Sequence, residues 1–180
     1  MKTLNVLTGA ACVLVVGMAG CAAAPRQRAV EGGPVDAGAG TLTAARKYLE
    51  GRWALESFKL YPSGQAEPVI VTAEGTVSYD DYSNMTMDVR GDATAVAALK
   101  AAGVAATNTG FSTSGRVVVD MTKKTLTYMM SKDGSVAQPT GPLALNRPRH
   151  WEVTQDQLTL TTKDDAGKPL MVSVWRRQVQ

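Results

Sequence analysis

Asn84-Met85-Thr86-Met87-Asp88-Val89 decides the fold, because Met85, Met87 and Val89 fall on one face and Asn84, Thr86 and Asp88 on the other. Side chains of a strand alternate between the faces of its sheet, so one apolar and one polar row mark an antiparallel strand with one side buried. The text around it repeats this grammar. Upstream, Arg52 to Tyr61 breaks at Pro62-Ser63-Gly64, Val69 to Thr72 ends before Glu74-Gly75, and Thr76 to Tyr79 follows. Downstream, Gly110 to Val119 and Thr125 to Met130 predict a hairpin across Asp120 to Lys124, with Lys132-Asp133-Gly134 as the next turn. His150 to Thr154, Gln157 to Lys163 and Leu170 to Arg176 close the chain across turns at Gln155-Asp156 and Asp164 to Gly167. Pro139, Pro142 and Pro148 keep the segment between out of any central strand, since proline cannot donate to the ladder. One helix interrupts the run, Ala93 to Ala102, capped by Asp92 and stopped by Gly103. About eight to ten strands with no helices alternating between them predict an all-β protein, a closed antiparallel up-and-down barrel with one or two short helices.

The chain ahead of the barrel divides in two. Lys2 supplies a positive start, Leu4 to Gly17 an apolar stretch diluted by Asn5, Thr8 and glycines, and Met18-Ala19-Gly20-Cys21 resembles a bacterial lipobox. The stretch falls short of the roughly 20 residues a spanning helix needs. Residues 1–20 are therefore expected to be a lipoprotein signal peptide, with Cys21 the lipidated first residue of the mature chain. Ala22, where a retention signal such as Asp would otherwise stand, favours the periplasmic face of the outer membrane. Residues 21–42 are mostly Ala, Gly and Pro with a few charges and no apolar period, the composition of a flexible tether. The folded domain is expected over 43–180, opening on a short helix, Thr43 to Leu49, with Thr41 or Thr43 as its cap and Gly51 ending it.

Composition narrows the function classes. Cys12 and Cys21 are the only cysteines, so no disulfide is available to the domain and packing must hold it together. Removing Lys2 lowers the formal net charge from +3 to +2, and the basic residues are scattered, so no stripe points to nucleic acid. The expected partners are the membrane, through the lipid on Cys21, and a small hydrophobic ligand; no protein partner can be read from the residues.

Further motifs fall in a recognisable order. Gly51-Arg52-Trp53 opens the first strand, then come Gly110-Phe111-Ser112-Thr113-Ser114-Gly115-Arg116, Arg149-His150-Trp151-Glu152-Val153, Leu158-Thr159-Leu160 and Trp175-Arg176-Arg177. From about Tyr48 to Gln178 this resembles the bacterial lipocalin-like domain of the lipocalin (calycin) superfamily, whose signature begins with Gly-x-Trp. The resemblance implies that Trp53 lies across the closed end of the barrel under a basic side chain from near the last strand, Arg176 or Arg177, with Arg149 a poorer substitute. Such a cation-π contact is worth about 0.5 to 2 kcal/mol. The chain departs from the group at Tyr128-Met129, where many members carry a His pair.

Chemistry has little material here. His150 is the one histidine, and the mature chain has no free thiol and no Gly-x-Ser-x-Gly elbow, so nucleophile-base pairs cannot be assembled. Zinc needs three or four Cys, His or carboxylate ligands, and Asp80-Asp81 and Asp164-Asp165 are adjacent turn residues that would point apart on a strand. No catalytic residue, metal or cofactor is expected. What remains is the barrel interior: if Trp53 points inward, alternation adds Leu55, Ser57 and Lys59, beside Met85 and Met87 and the row Leu126, Tyr128 and Met130. Val117 and Val119, Leu158 and Leu160, and either Leu170, Val172 and Val174 or their neighbours complete it. Flexible methionines with one phenol make an adaptable, mostly apolar lining. A barrel of about eight strands is just wide enough either to pack solid or to hold one small ligand, so two functions stand. The first is a lipid-anchored envelope protein that binds a small apolar or amphipathic molecule non-covalently; the second is an envelope scaffold with a filled barrel. An isomerase or cyclase would need a perturbed group inside, for which only Lys59 and Tyr128 are candidates.

Overall fold

The computed structural model describes residues 41–105, 110–130 and 139–179. The leader, the tether with Cys21 and the turn expected at Lys132-Asp133-Gly134 lie outside them. Helix α1 (Leu42–Leu49) leads into β1 (Gly51–Leu60), β2 (Val69–Ile70), β3 (Ala73–Tyr79) and β4 (Asn84–Gly91). Helix α2 (Ala95–Ala101) follows, then the hairpin β5 (Gly110–Asp120) and β6 (Thr125–Met130), a 3-10 turn at Gly141–Leu143, and β7 (Arg149–Val153), β8 (Gln157–Lys163) and β9 (Pro169–Arg177).

Every pairing is antiparallel and runs between neighbours in sequence, apart from two at β1. The first half of β1 pairs with β3, and its last two residues, Lys59 and Leu60, pair with the short β2. Along its other edge β1 pairs with β9 from Trp53↔Arg177 to Leu60↔Met171. That contact closes an eight-stranded antiparallel barrel with a lipocalin-like architecture. Closure removes the exposed sheet edges that would otherwise template aggregation.

One irregularity redirects a whole row of side chains. The β1–β9 register slips between Leu55 and Ser57, leaving Glu56 as an extra residue. A bulge of this kind exchanges the two faces of the strand beyond it. Trp53 and Leu55 therefore face inward, but so do Phe58 and Leu60, opposite Ser173 and Met171, while Ser57 and Lys59 stand on the outer face opposite Val174 and Val172. Strict alternation from Trp53 places Ser57 and Lys59 inside, and the bulge at Glu56 is why they are not. In β9 the inward row is Met171, Ser173 and Trp175.

The interior holds two apolar clusters. The larger fills the end of the barrel under α1, with Leu49, Trp53, Val77, Tyr79 and Met85 among its members. The smaller gathers Leu60, Val71 and Met171 beneath Ala95 and Leu99 of α2 and the following Val104. Helix α2 starts where the Asp92 carboxylate accepts from the backbone N–H groups of Thr94 (2.8 Å) and Ala95 (3.0 Å) and from the Thr94 hydroxyl (2.7 Å). Between the clusters β3 crosses close over β4 at Gly75, where a Cβ would collide with the Asp88 carbonyl and the Val89 backbone.

Candidate functional site

The closed end is built around Trp53, which is wholly buried. Its indole N–H donates to the Leu49 carbonyl at 2.8 Å, fastening the last turn of α1 to the barrel. The guanidinium of Arg177 lies over the indole, 4.0 Å from its centroid. Its N–H groups donate to the carbonyls of Glu50 (2.6 Å), Tyr48 (2.7 Å) and Gln155 (3.0 Å). One arginine thus ties α1, the β7–β8 turn and the first strand to the last. The Gly of Gly-x-Trp has a physical reason here: Gly51 holds φ +117°, and a Cβ on it would come to 3.0 Å from the Arg177 guanidinium. Arg176 points outward instead, to Glu56 at 2.9 Å, and these hydrogen bonds hold the Glu56 carboxyl below its usual range. Both partners are too exposed for that pair to add much stability.

A cavity of about 260 Å³ lies between the two clusters. Leu55, Met87 and Val89 border it from the closed half, Phe58, Met171 and Leu99 from the α2 half, and Phe111 and Leu160 from the sides. The polar side chains on its wall are Tyr128, Arg149 and Ser173. Such a mostly apolar chamber with a few convergent polar groups is how small-molecule sites are made.

Two of them, Tyr128 and Arg149, form one cluster with Tyr79. Arg149 is only 3% exposed, and its guanidinium is caged by the chain just before it. Nη1 donates to the carbonyls of Leu145 and Arg147, both at 2.9 Å, and Nη2 to those of Ala144 at 3.0 Å and Leu143 at 3.3 Å. Its Cζ also lies 4.9 Å from the centroid of the Tyr128 ring. The hydroxyls of Tyr128 and Tyr79 share a 2.6 Å hydrogen bond. Burial raises both phenols above their ordinary value of 10.0, Tyr79 well above, while the positive charge of Arg149 draws both back down. Burial lowers the Arg149 guanidinium in turn. Ser173 is buried and accepts from the Trp175 indole N–H at 2.9 Å.

Against this site the expected lining divides. Leu55, Met87 and Tyr128 border the cavity. Met85 and Leu126 are buried in the closed-end cluster. Ser57 and Lys59 face outward, and the side chain of Met130 lies outside the described part of the structure. His150, in β7 next to Arg149, pairs with Thr125 and Thr161 and does not border the cavity. The Asp80 carboxylate is committed to its own turn, accepting from the backbone N–H groups of Tyr82 and Asn84 and from the Asn84 side chain. Alternation had no access to Phe58, because the bulge precedes it, or to Leu99, because a helix has no strand parity. Tyr79 was accessible in principle, two residues beyond the inward Val77. Arg149 carried no such signal, since a cage of backbone carbonyls leaves no mark in residue type. The chain matches no protein-family model and no curated protein.

Proposed function

We propose that the barrel is a binding module for a small apolar or amphipathic molecule, held non-covalently on a lipid-anchored envelope protein. The observation that carries this reading is the cavity of about 260 Å³, walled by apolar side chains and bearing one polar cluster. Ligand surface removed from water there would contribute roughly 25 cal/mol per Å² before losses to ordering. The anchoring half rests on Met18-Ala19-Gly20-Cys21 and its short apolar run, and the periplasmic face of the outer membrane on Ala22. The lipocalin-like motif order adds support, as does the contact of Trp53 with Arg177.

We read the protein as a binder and not as an enzyme. Lys59 is outside the barrel, and Tyr128 on the cavity wall and its partner Tyr79 are pushed towards holding their protons, which suits hydrogen-bond donation better than general-base work. A scaffold with a filled barrel has the packed closed half in its favour.

Dye binding separates the two. An environment-sensitive apolar dye should bind the purified protein at about one equivalent, and Met87→Trp should block it with little loss of stability. A dye that ignores the folded protein, together with destabilisation of about 1 to 3 kcal/mol by Met87→Trp as overpacking causes, would establish the filled barrel.

A further inference from the structure

Tyr82 stands in the β3–β4 turn, 71% exposed, and the turn is built to hold it there. Its backbone N–H donates to the Asp80 carboxylate at 2.9 Å, and the same carboxylate accepts from the Asn84 backbone and side chain, both at 2.7 Å. The Ser83 N–H donates to the Asp80 carbonyl at 3.1 Å, and Ser83 takes a left-handed φ of 66°, uncommon outside glycine. A tyrosine on so fixed a turn loses little conformational freedom when a partner covers it.

The closed end gathers more of the same chemistry. The register Gly51↔Tyr79 sets the start of β1, and α1 before it, beside this turn, and α1 exposes Tyr48 and Leu42. Arg116, opposite Asn84, donates to the Tyr82 carbonyl at 3.5 Å, and β5 runs on from there to the turn that carries Lys123 and Lys124. Arg46, Lys47, Lys123 and Lys124 are exposed, and none has an acidic partner among the described residues. Of the acids here, Asp80 and Asp120 accept from the backbone of their own turns and Asp156 faces Arg176 at 3.9 Å, which leaves Glu50 and Asp81. Tyrosine with lysine and arginine is the composition that settles at lipid headgroups, the ring in the interface and the cations against anionic lipid.

The chain also enters the domain at this end, through Thr41, the cap of α1. Cys21 stands about 20 residues earlier, and a flexible stretch of that length has a root-mean-square reach of about 25 Å. The barrel is longer than that. Ten residues of β1 at about 3.3 Å each, tilted to the axis, and the roughly 10 Å of α2 beyond them come to about 35 Å. A lipid on Cys21 therefore keeps the closed end, and not the α2 end, within reach of the bilayer. We propose that the closed end is a membrane-docking face: Tyr82 and Tyr48 enter the headgroup region of a bilayer containing anionic lipid, Arg46, Lys47, Lys123 and Lys124 lie against its phosphates, and the α2 end points away. This rests on the lipid-anchored half of the function proposed above and names the surface that the anchor brings into contact.

Quenching by headgroup spin-labelled lipid tests this on the mature protein purified from membranes and reconstituted into vesicles of phosphatidylcholine with phosphatidylglycerol. Acylation consumes the Cys21 thiol, so Thr122→Cys in the β5–β6 turn and Ala166→Cys in the β8–β9 turn, both exposed positions, each offer one thiol for a bimane label. The label at 122 should be quenched several-fold more strongly than the label at 166. The difference should shrink several-fold in about 1 M salt, where the Debye length falls to about 3 Å, and in vesicles of phosphatidylcholine alone. Tyr82→Ala, and separately Lys123→Glu with Lys124→Glu, should each weaken quenching at 122 several-fold while circular dichroism stays that of the parent. Equal quenching at the two positions, or stronger quenching at 166, overturns the docking face and leaves the anchor standing. Quenching at 122 that ignores these substitutions overturns the assignment of the residues, and quenching that ignores phosphatidylglycerol and salt overturns the anionic partner. Mass spectrometry that finds the mature Cys21 without lipid removes the anchor and the docking face with it.

Discussion

Arg177 shows how much one side chain can organise when its geometry is fixed by others. It covers the Trp53 ring and satisfies three carbonyls at the ends of α1 and β7, all against a glycine with no Cβ to obstruct it. Trp53→Ala should therefore lose about 3 to 5 kcal/mol, as large aromatic truncations in cores do. Arg177→Ala should lose roughly 1 to 3 kcal/mol from the cation-π contact and the charged hydrogen bonds together. Arg176→Ala, its exposed neighbour, should stay within about 1 kcal/mol of the parent. Denaturant melts of the three variants check the order, and equal losses at Arg176 and Arg177 would contradict it. The buried phenols make a second prediction at this scale. Tyr79 and Tyr128 bind their protons more tightly when folded than when unfolded, so the native state holds the excess protons. Their stabilising contribution is fully present below about pH 10 and is lost as pH rises from there towards the raised native values. Absorbance of tyrosinate against pH should show two of the five tyrosines ionising only as circular dichroism reports unfolding. Full ionisation of all five in the folded protein would defeat this.

At the scale of elements, β1 is where period-two reasoning both succeeds and stops. Its position follows from the strand-like run that Gly51-Arg52-Trp53 opens, and its meeting with the last strand is what the lipocalin-like resemblance implies, but the parity of its second half is reset by Glu56. Nothing in the residue type of Glu56 announces a bulge. The signal is the partner strand, in which Met171, Ser173 and Trp175 keep strict alternation and must meet Leu60, Phe58 and Leu55. Deleting Glu56 would remove the extra residue and keep Phe58 and Leu60 inward by simple alternation from Leu55, whereas inserting one more residue beside it would turn them outward and bring Ser57 and Lys59 in. The expected outcome is that the deletion folds, while the insertion fails to fold or exposes apolar surface to a hydrophobic dye while remaining collapsed. An insertion variant with the parent's melting temperature would show that the bulge can absorb the added residue. Elsewhere the elements were legible to within a few residues. The β4 alternation, the β5–β6 hairpin and the start of α2 at Asp92 were written in local chemistry, whereas β2 is only Val69–Ile70, paired with Lys59 and Leu60 at the end of β1.

The barrel as a whole combines a filled end and a hollow middle. Eight strands leave a lumen of nearly fixed width, and which part fills depends on the side chains delivered to each level. Large rings from Trp53, Tyr79, Tyr128 and Trp175 occupy the α1 end, while at the other end α2 covers the barrel with small residues, only Ala95 and Leu99 of the helix being buried. The cavity remains between them. The anchor is a prediction at this scale too: Cys21→Ser should leave the protein soluble or as an unprocessed precursor, as fractionation and mass spectrometry of the mature N-terminus would report. A variant processed and membrane-bound like the parent would remove lipidation from the account.

Local sequence alone determined the run of antiparallel strands, their turns, the two short helices and the all-β barrel, because alternation, caps and turn residues act over a few positions. The tertiary structure decided which half of β1 faces inward, which arginine covers Trp53, and that Arg149 is buried beside a pair of tyrosines at the wall of a cavity. Each of these depends on register between strands distant in the chain or on carbonyls brought together by a turn. Register is fixed only when the barrel closes and every inward side chain must share one lumen.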